Sequence, residues 1–381
     1  MPIGLREQNA VLSSLPGLGS FCDRDPSVKN AGLFSVERRK THIRRQRIDG
    51  RPSRDRFWKE GLDSFYQAIS KGTGIMKELQ RSILHCIGNT SLLALRNIVP
   101  ENGSRILLKL ENENPTGSMK DRMALAMIEA AEADGRLTAA GSVVEYTGGS
   151  TGVSLSLICA VKGYPLQIVT SDAFAREKLE HMKILGAKLQ IVPSESGGMT
   201  EKLTRDMIEA ARIIAEKPGS FWTDQLNNQD QIPAYHKMAD EIWSQTDGRV
   251  DGFVQSVGTA ASLRGTGEAL RRHNEQIRIV AVEPSESPVL SGGQPGSHKI
   301  DGIGAGFVVP LWREDMANQI EQVSTEEAKA MVVRLAREEG LFAGTSTGGN
   351  VIAALRLAEQ LGPDATIVTV MCDTGMKYLS K

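Results

Sequence analysis

The sequence lacks any apolar run of about 18 residues, so it predicts no membrane-spanning helix. It has little net charge, −1 at pH 7, which argues against a general affinity for nucleic acid or anionic membranes. Its four cysteines, Cys22, Cys86, Cys159 and Cys372, are far apart and, like the six histidines, show no metal-ligand spacing. We therefore expect reduced cysteines, no bound metal and a cytoplasmic protein.

What the sequence does have is length: 381 residues, enough for two domains, with an apolar share of 40%. Residues 1–75 differ from the rest, because ten lysines and arginines lie between residues 38 and 59 without hydrophobic periodicity. We expect a disordered or loosely docked extension. A nucleic-acid tail or an organelle-import leader is the alternative. Met76 opens a stretch that could itself be a protein start, which would make the extension dispensable.

From Ser104 onward, short β-rich runs alternate with segments of helical periodicity. The runs at 105–110, 142–146, 166–170, 188–192, 252–257, 277–283 and 365–371 are too short for buried helices. Helices are predicted at 121–134, 152–162, 173–185, 200–216, 235–245, 260–273, 325–339 and 348–361. The alternation predicts an α/β fold with parallel sheets and helices on both faces. Ligands bind such folds where strands turn into helices.

One such position is the stretch 114–122, Asn-Pro-Thr-Gly-Ser-Met-Lys-Asp-Arg. Gly117 belongs to a predicted turn, and Ser118 and Asp121 have the spacing of a capping pair. Lys120 therefore lies in the first helical turn, where the helix dipole disfavours an ammonium group. A lysine that is more often a free amine can form a Schiff base. The alternative is a solvated surface lysine.

Three glycine-rich turns lie between predicted strands and helices. Residues 146–152, Tyr-Thr-Gly-Gly-Ser-Thr-Gly, and 256–262, Ser-Val-Gly-Thr-Ala-Ala-Ser, would expose helix-start amides that bind anions. The third turn, 340–350, places Ser346 at a helix start. Tight βα turns and a capping serine are the alternatives. A nucleotide-binding turn is disfavoured, because no Gly-x-Gly-x-x-Gly follows a strand and no Walker lysine is present.

Together these motifs resemble the cysteine synthase and cystathionine β-synthase family of pyridoxal-phosphate (PLP) enzymes, which have the tryptophan-synthase-β-like fold, or fold type II. The resemblance runs from about Ser82 to the end and includes residues 87–90, 223–228, 301–307 and 377–380. It implies a smaller domain at 114–228 and a larger one at 81–113 plus 229–381. It also implies a homodimer.

The resemblance assigns roles to individual residues. It implies that Lys120 holds PLP and removes the substrate α-proton, and that Ser346 contacts the pyridine nitrogen. Ser150 would lie near the cofactor 3′-oxygen, and Gln225 would line the substrate site. The implied phosphate-binding residues are Gly258, Thr259, Ala260, Ala261 and Ser262, and the implied substrate carboxylate-binding residues are Thr147, Gly148, Gly149 and Thr151.

Four of these positions depart from the family pattern. Gly148 replaces a serine, Ser150 replaces an asparagine, and Ala260 and Ala261 stand where glycines are usual. The first two lie at the implied substrate site, so they bear on substrate choice. The alanines require backbone positions that accept a Cβ.

The implied reaction is β-replacement on an O-activated serine through an aminoacrylate: O-acetylserine and sulfide would give cysteine and acetate. A hydroxyl partner such as Ser346 leaves the pyridine largely unprotonated, which favours loss of a β-substituent. The partners would be an amino-acid substrate and a small nucleophile. Alternatives are β-replacement with another nucleophile, serine or threonine dehydration, and a non-catalytic PLP-binding partner or sensor.

Overall fold

The computed structural model describes residues 82–99, 101, 103–195 and 200–379. The predicted extension at 1–75 and the potential start at Met76 lie outside the described residues. The described strands are β1 Leu92–Ala94, β2 Arg105–Leu110, β3 Ser142–Tyr146, β4 Leu166–Ser171, β5 Lys188–Val192, β6 Ser220–Trp222, β7 Gly252–Ser256, β8 Arg278–Pro284, β9 Gln319–Val323 and β10 Thr366–Met371. The described helices are α1 Lys120–Ala133, α2 Ser150–Lys162, α3 Arg176–Ile184, α4 Glu201–Ala215, α5 Ile232–Gln245, α6 Ala261–His273, α7 Thr325–Arg334 and α8 Thr345–Leu361.

The strands form two sheets. One has six strands in the order β1-β2-β10-β7-β8-β9, and the other has four in the order β5-β4-β3-β6. Every pairing is parallel except that of β1 with β2. The predicted α/β fold with parallel sheets is therefore confirmed.

Side chains of the six-stranded sheet alternate between two buried cores. Phe253 of β7 and Ile279 of β8 pack into one core, with residues of α5 and α6. Their neighbours Val254 and Val280 pack into the other, with residues of α7 and α8. Because both faces are covered, each of these strands has adjacent apolar residues that face opposite cores, rather than apolar residues on one face only. Among the described residues, no helix is both long and apolar enough to cross a bilayer.

Three strands were not predicted, and all three lie at sheet edges: β1, β6 and β9. An edge strand is paired on one side only and is often short or polar, so its local signal is weak. Two helices begin three residues earlier than predicted, α5 at Ile232 and α8 at Thr345. The predicted helix at 325–339 is α7 followed by one π-helical turn, Leu335–Glu339.

The four strands of the smaller sheet all lie between residues 142 and 222. The strands of the larger sheet precede and follow them in the chain. This distribution supports the predicted domain division at 114–228, which stays a prediction.

Candidate active site

The turn before α1 is attached to the end of β10. The Met119 amide donates to the Cys372 carbonyl at 2.9 Å, and the Thr374 amide donates to the Gly117 carbonyl at 3.0 Å. Gly117 has φ +71°, and a Cβ there would lie 2.7 Å from the Thr374 methyl. Only glycine fits that turn without strain. The consequence is that Lys120 begins its helix beside the carboxyl end of β10.

The predicted capping pair is only half present. The Ser118 hydroxyl accepts a hydrogen bond from the Lys120 amide at 3.2 Å. The Asp121 carboxylate instead accepts from the Thr116 amide and from the Ser154 hydroxyl of α2. The prediction that Asp121 caps α1 is therefore wrong: this buried carboxylate joins α1 to α2.

The burial of Lys120 favours the uncharged, reactive form of its amine. Its side chain is partly buried, and among the described residues its Nζ has neither a hydrogen-bond nor an ion-pair partner. Burial lowers the pKa of Lys120, while the nearby Cys372 and Asp373 oppose the shift. The predicted free amine thus has a different main cause from the helix dipole.

Ser346 lies close to the same position. It is 5% exposed, and its hydroxyl lies beside the Cys372 thiol, as does that of Ser256. Burial raises the pKa of Cys372 to about 11, so this thiol is neutral at pH 7. The structure therefore brings Ser346 and Lys120 together around Cys372, at the end of β10.

The turn at 146–152 begins α2. Gly149 is the N-cap residue and no side chain caps the helix, which leaves amides available to an anion. The Thr151 hydroxyl donates to Gln225 Oε1 at 2.9 Å, and Gln225 Nε2 donates to the Tyr146 carbonyl at 3.0 Å. Thr147 accepts from the Gly149 amide at 3.1 Å. These hydrogen bonds hold Gln225 against the turn.

Gln225 is further held by the buried Glu145. That carboxylate accepts from the Gln225 amide at 3.0 Å and from the Thr223 hydroxyl at 2.6 Å. Burial raises the pKa of Glu145 to about 7. A group in the strand below the turn thus orients a predicted substrate-site residue.

The neighbouring Phe174 explains why position 148 is a glycine. A Cβ on Gly148 would lie 1.7 Å from the ring of Phe174. Phe174 therefore fills the space that a serine side chain would need. The departure from the family pattern at position 148 therefore involves two residues, Gly148 and Phe174.

The turn at 256–262 begins α6. Ala260 is its N-cap residue and no side chain caps the helix. The Thr259 hydroxyl donates to Gln231 Oε1 at 3.1 Å, and the Ser262 hydroxyl accepts from Gln255 Nε2 at 2.9 Å. Ala261 is the first residue of the helix.

The loop at 301–307 closes over this turn. A Cβ on Gly258 would lie 2.6 Å from the Gly302 carbonyl oxygen. The Asp301 amide donates to Thr345 Oγ1 at 2.9 Å. Because Thr345 is the first residue of α8, the loop connects the start of α6 with the helix that carries Ser346.

Ala260 has φ +71°, a left-handed conformation that costs an alanine about 1–2 kcal/mol. We expect Ala260→Gly to change the free energy of unfolding by no more than about 0.5 kcal/mol, because relief of strain offsets the lost methyl group and the added chain entropy. The control, Ala353→Gly inside α8, should cost about 1–2 kcal/mol. Urea unfolding of both variants measures the difference. Equal losses would contradict a strained Ala260.

These groups fit PLP. Among the described residues, Lys120 supplies an amine without a partner, and the uncapped start of α6 suits a phosphate. The Ser256 hydroxyl is buried, yet within the described part of the chain it has no hydrogen-bond partner of good geometry. Parallel sheets with such a site at their strand ends define a fold type II PLP enzyme.

The comparisons with known proteins agree. The family model described as "Pyridoxal-phosphate dependent enzyme" matches residues 83–373, and the chain belongs to that family. It is 38% identical over 302 residues to a cysteine synthase of Staphylococcus aureus, covering 78% of this chain and 95% of that protein.

Two solved structures are similar in fold. A cysteine synthase of Entamoeba histolytica has a TM-score of 0.76 and 35% identity, covering 81% of this chain and 92% of the other. An O-acetylserine dependent cystathionine β-synthase of Helicobacter pylori has a TM-score of 0.74 and 32% identity, covering 80% of this chain and 99% of the other.

The sequence did not predict a buried ion network next to the site. Arg122, 5% exposed, pairs with Glu111 at 2.7 Å and with Glu241 of α5 at 2.7 Å. Glu241 also pairs with Lys109 of β2 at 2.7 Å. Burial opposes the charge of Glu241, but Arg122 and Lys109 lower the pKa of Glu241 to about 2. This network attaches the first turn of α1 to β2 and α5.

The C-terminal segment was also missed as part of the site. Tyr378 donates to Asp373 Oδ2 at 2.6 Å, and Ser150 donates to the same oxygen at 3.2 Å. Lys377 donates to the Ser150 hydroxyl at 3.2 Å. The only signal in the sequence was the motif at 377–380, which carried no chemical assignment.

Proposed function

We propose that this protein catalyses β-replacement on O-acetylserine with sulfide, which gives cysteine and acetate. The observation that carries the proposal is that the Lys120 amine, which has no partner among the described residues, and the Ser346 hydroxyl both lie near Cys372, within a chain 38% identical to a cysteine synthase. Bound PLP supplies an electron sink that acidifies the substrate α-carbon and allows the β-substituent to leave.

Different side chains bind the cofactor, bind the substrate and transfer the proton in this proposed reaction. Lys120 holds the cofactor and then moves the α-proton as general base, for which its lowered pKa is suited. Ser346 contacts the pyridine nitrogen as a neutral partner. The residues 258–262 bind the phosphate at the start of α6, and Thr147, Gly148, Gly149 and Thr151 bind the substrate carboxylate at the start of α2. Gln225 and Ser150 line the same site.

A second candidate function is the same β-replacement with a different nucleophile. The Helicobacter pylori protein of similar fold is described as an O-acetylserine dependent cystathionine β-synthase, so a larger thiol is a specific alternative to sulfide. The Phe174–Gly148 pair and Ser150 lie at the proposed substrate site and are the residues expected to determine this choice.

The proposal is tested with purified protein and added PLP. O-acetylserine and sulfide should give stoichiometric cysteine and acetate, and homocysteine in place of sulfide tests the larger nucleophile. Serine, threonine and O-phosphoserine are the comparison donors. Steady release of ammonia and keto acid would indicate dehydration instead. Cofactor binding without spectral change on any amino acid would indicate a sensor, and no cofactor binding at all would contradict the scheme.

We also propose a homodimer in the cytoplasm, as the family resemblance implies. Light scattering coupled to gel filtration measures the mass directly, and a monomer at micromolar concentration would contradict the dimer. Localisation of the tagged full chain tests the compartment, with organelle import as the alternative outcome.

A further inference from the structure

Lys377 is a buried lysine that the proposed reaction does not use. It is 7% exposed, and to the residues that the structure describes its Nζ donates one hydrogen bond, to the Ser150 hydroxyl at 3.2 Å. An ammonium group has three donors. No carboxylate of the described residues lies within ion-pair distance of it. A lysine buried in this way is costly unless something else binds it.

Its amine is directed at the start of α2. Ser150 is the first residue of that helix, whose N-terminus has no side-chain cap. Helix-start amides attract anions, and a charge-assisted hydrogen bond is about twice as strong as a neutral one. The two unused donors of Lys377 thus lie where an anion on the α2 amides would be.

We propose that Lys377 is a substrate-binding residue, whose ammonium group holds the carboxylate of the amino-acid substrate together with the amides at the start of α2. This inference rests on the proposed function in one respect, that the ligand is an amino acid. Ser150 orients the ammonium group: it accepts from Lys377 and donates to Asp373 Oδ2.

The charges around Lys377 come from three elements. Its own segment contributes Asp373, α1 contributes Lys120 and Asp121, and α3 contributes Lys178. Burial lowers the pKa of Lys377 to about 8; Asp373 and Asp121 oppose the shift, while Lys178 and Lys120 add to it.

His181 of α3 also faces Lys377, and burial lowers its pKa. It is therefore neutral above pH 7 and does not change charge while Lys377 titrates. Carboxylate binding through Lys377 should therefore be strongest well below pH 8 and decline as the pH rises through about 8.

The test uses the full chain loaded with PLP and L-alanine, an amino acid without a leaving group. Its dissociation constant is read from the visible spectrum of the cofactor between pH 7 and 9.5. Lys377→Met should weaken binding at pH 7 by about 10-fold or more, as expected for a hydrogen bond to a charged group. Lys377→Arg should bind within about threefold of the original, because it keeps the charge.

The pH profile separates binding from a structural role. Relative to Lys377→Arg, whose guanidinium does not titrate, the original protein should lose affinity as the pH rises through about 8. The proposal would be overturned if the dissociation constant of Lys377→Met for L-alanine were within twofold of the original. It would also be overturned if Lys377→Arg bound L-alanine as weakly as Lys377→Met.

A second measurement needs no cofactor. Removing a buried charge whose burial outweighs the attraction of Asp373 and Asp121 should raise the melting temperature of Lys377→Met by about 2–4 °C at pH 7. The exposed control Lys183→Met should melt like the original. A lower melting temperature for Lys377→Met would make Lys377 a structural residue and overturn the inference. Absence of cofactor absorbance would instead count against the proposed function.

Discussion

Replacing Lys120 with alanine is expected to abolish the visible absorbance of lysine-bound PLP and to slow cysteine formation by about 1000-fold or more. The physical reason is that, in the proposed reaction, one amine both holds the cofactor and moves the α-proton. Absorbance spectra and cysteine assays of the purified variant measure the two effects. A variant that kept both the absorbance and full turnover would show that another lysine has this role.

Two controls show that the loss is chemical. Lys183→Ala removes an exposed lysine of α3 and should leave absorbance and turnover unchanged. The Lys120→Ala protein should unfold at no lower urea concentration than the original, because burial lowers the pKa of Lys120 and its charge therefore costs stability. For the same reason, cofactor capture by the original protein should reach half its maximal rate at a pH below the ordinary pKa of a lysine, 10.5.

Replacing Arg122 with alanine is expected to lower the free energy of unfolding by about 3–5 kcal/mol, because the fully buried Glu111 is left without its cation. This is the largest loss of stability that we expect from a single substitution near the site. Urea unfolding measures it. The control Arg136→Ala breaks exposed ion pairs with Asp134 and Asp230 and should cost no more than about 1 kcal/mol.

The same network predicts a response to acid. The pKa of Glu241 is depressed to about 2 in the folded protein, so its contribution to stability is complete above its unfolded value of about 4.3 and is lost as the pH falls towards 2. Arg122→Ala should flatten this part of the stability profile. A double variant, Glu111→Gln with Arg122→Met, should recover part of the loss. A profile unchanged in Arg122→Ala would contradict the pairing of Arg122 with Glu241.

Much of the site could be predicted because its parts are local. The turn before Lys120, the glycine-rich turns at 146–152 and 256–262 and the start of α8 each consist of a few consecutive residues whose backbone needs are visible in their residue types. The central strands were predicted for a similar reason: burial on both faces gives β7, β8 and β10 adjacent apolar residues in short runs. The edge strands β1, β6 and β9 lack that constraint and were missed.

What the sequence by itself determined is therefore the fold class and the family motifs, and it singled out Lys120 as the proposed reactive lysine. Only the tertiary structure decided what surrounds that lysine. Lys377 and Ser150 are 227 positions apart and Arg122 and Glu241 are 119 apart, while Phe174 reaches Gly148 from a different loop. These contacts depend on how sheets and helices pack, and packing between distant segments leaves no periodicity or spacing in the sequence that could reveal it.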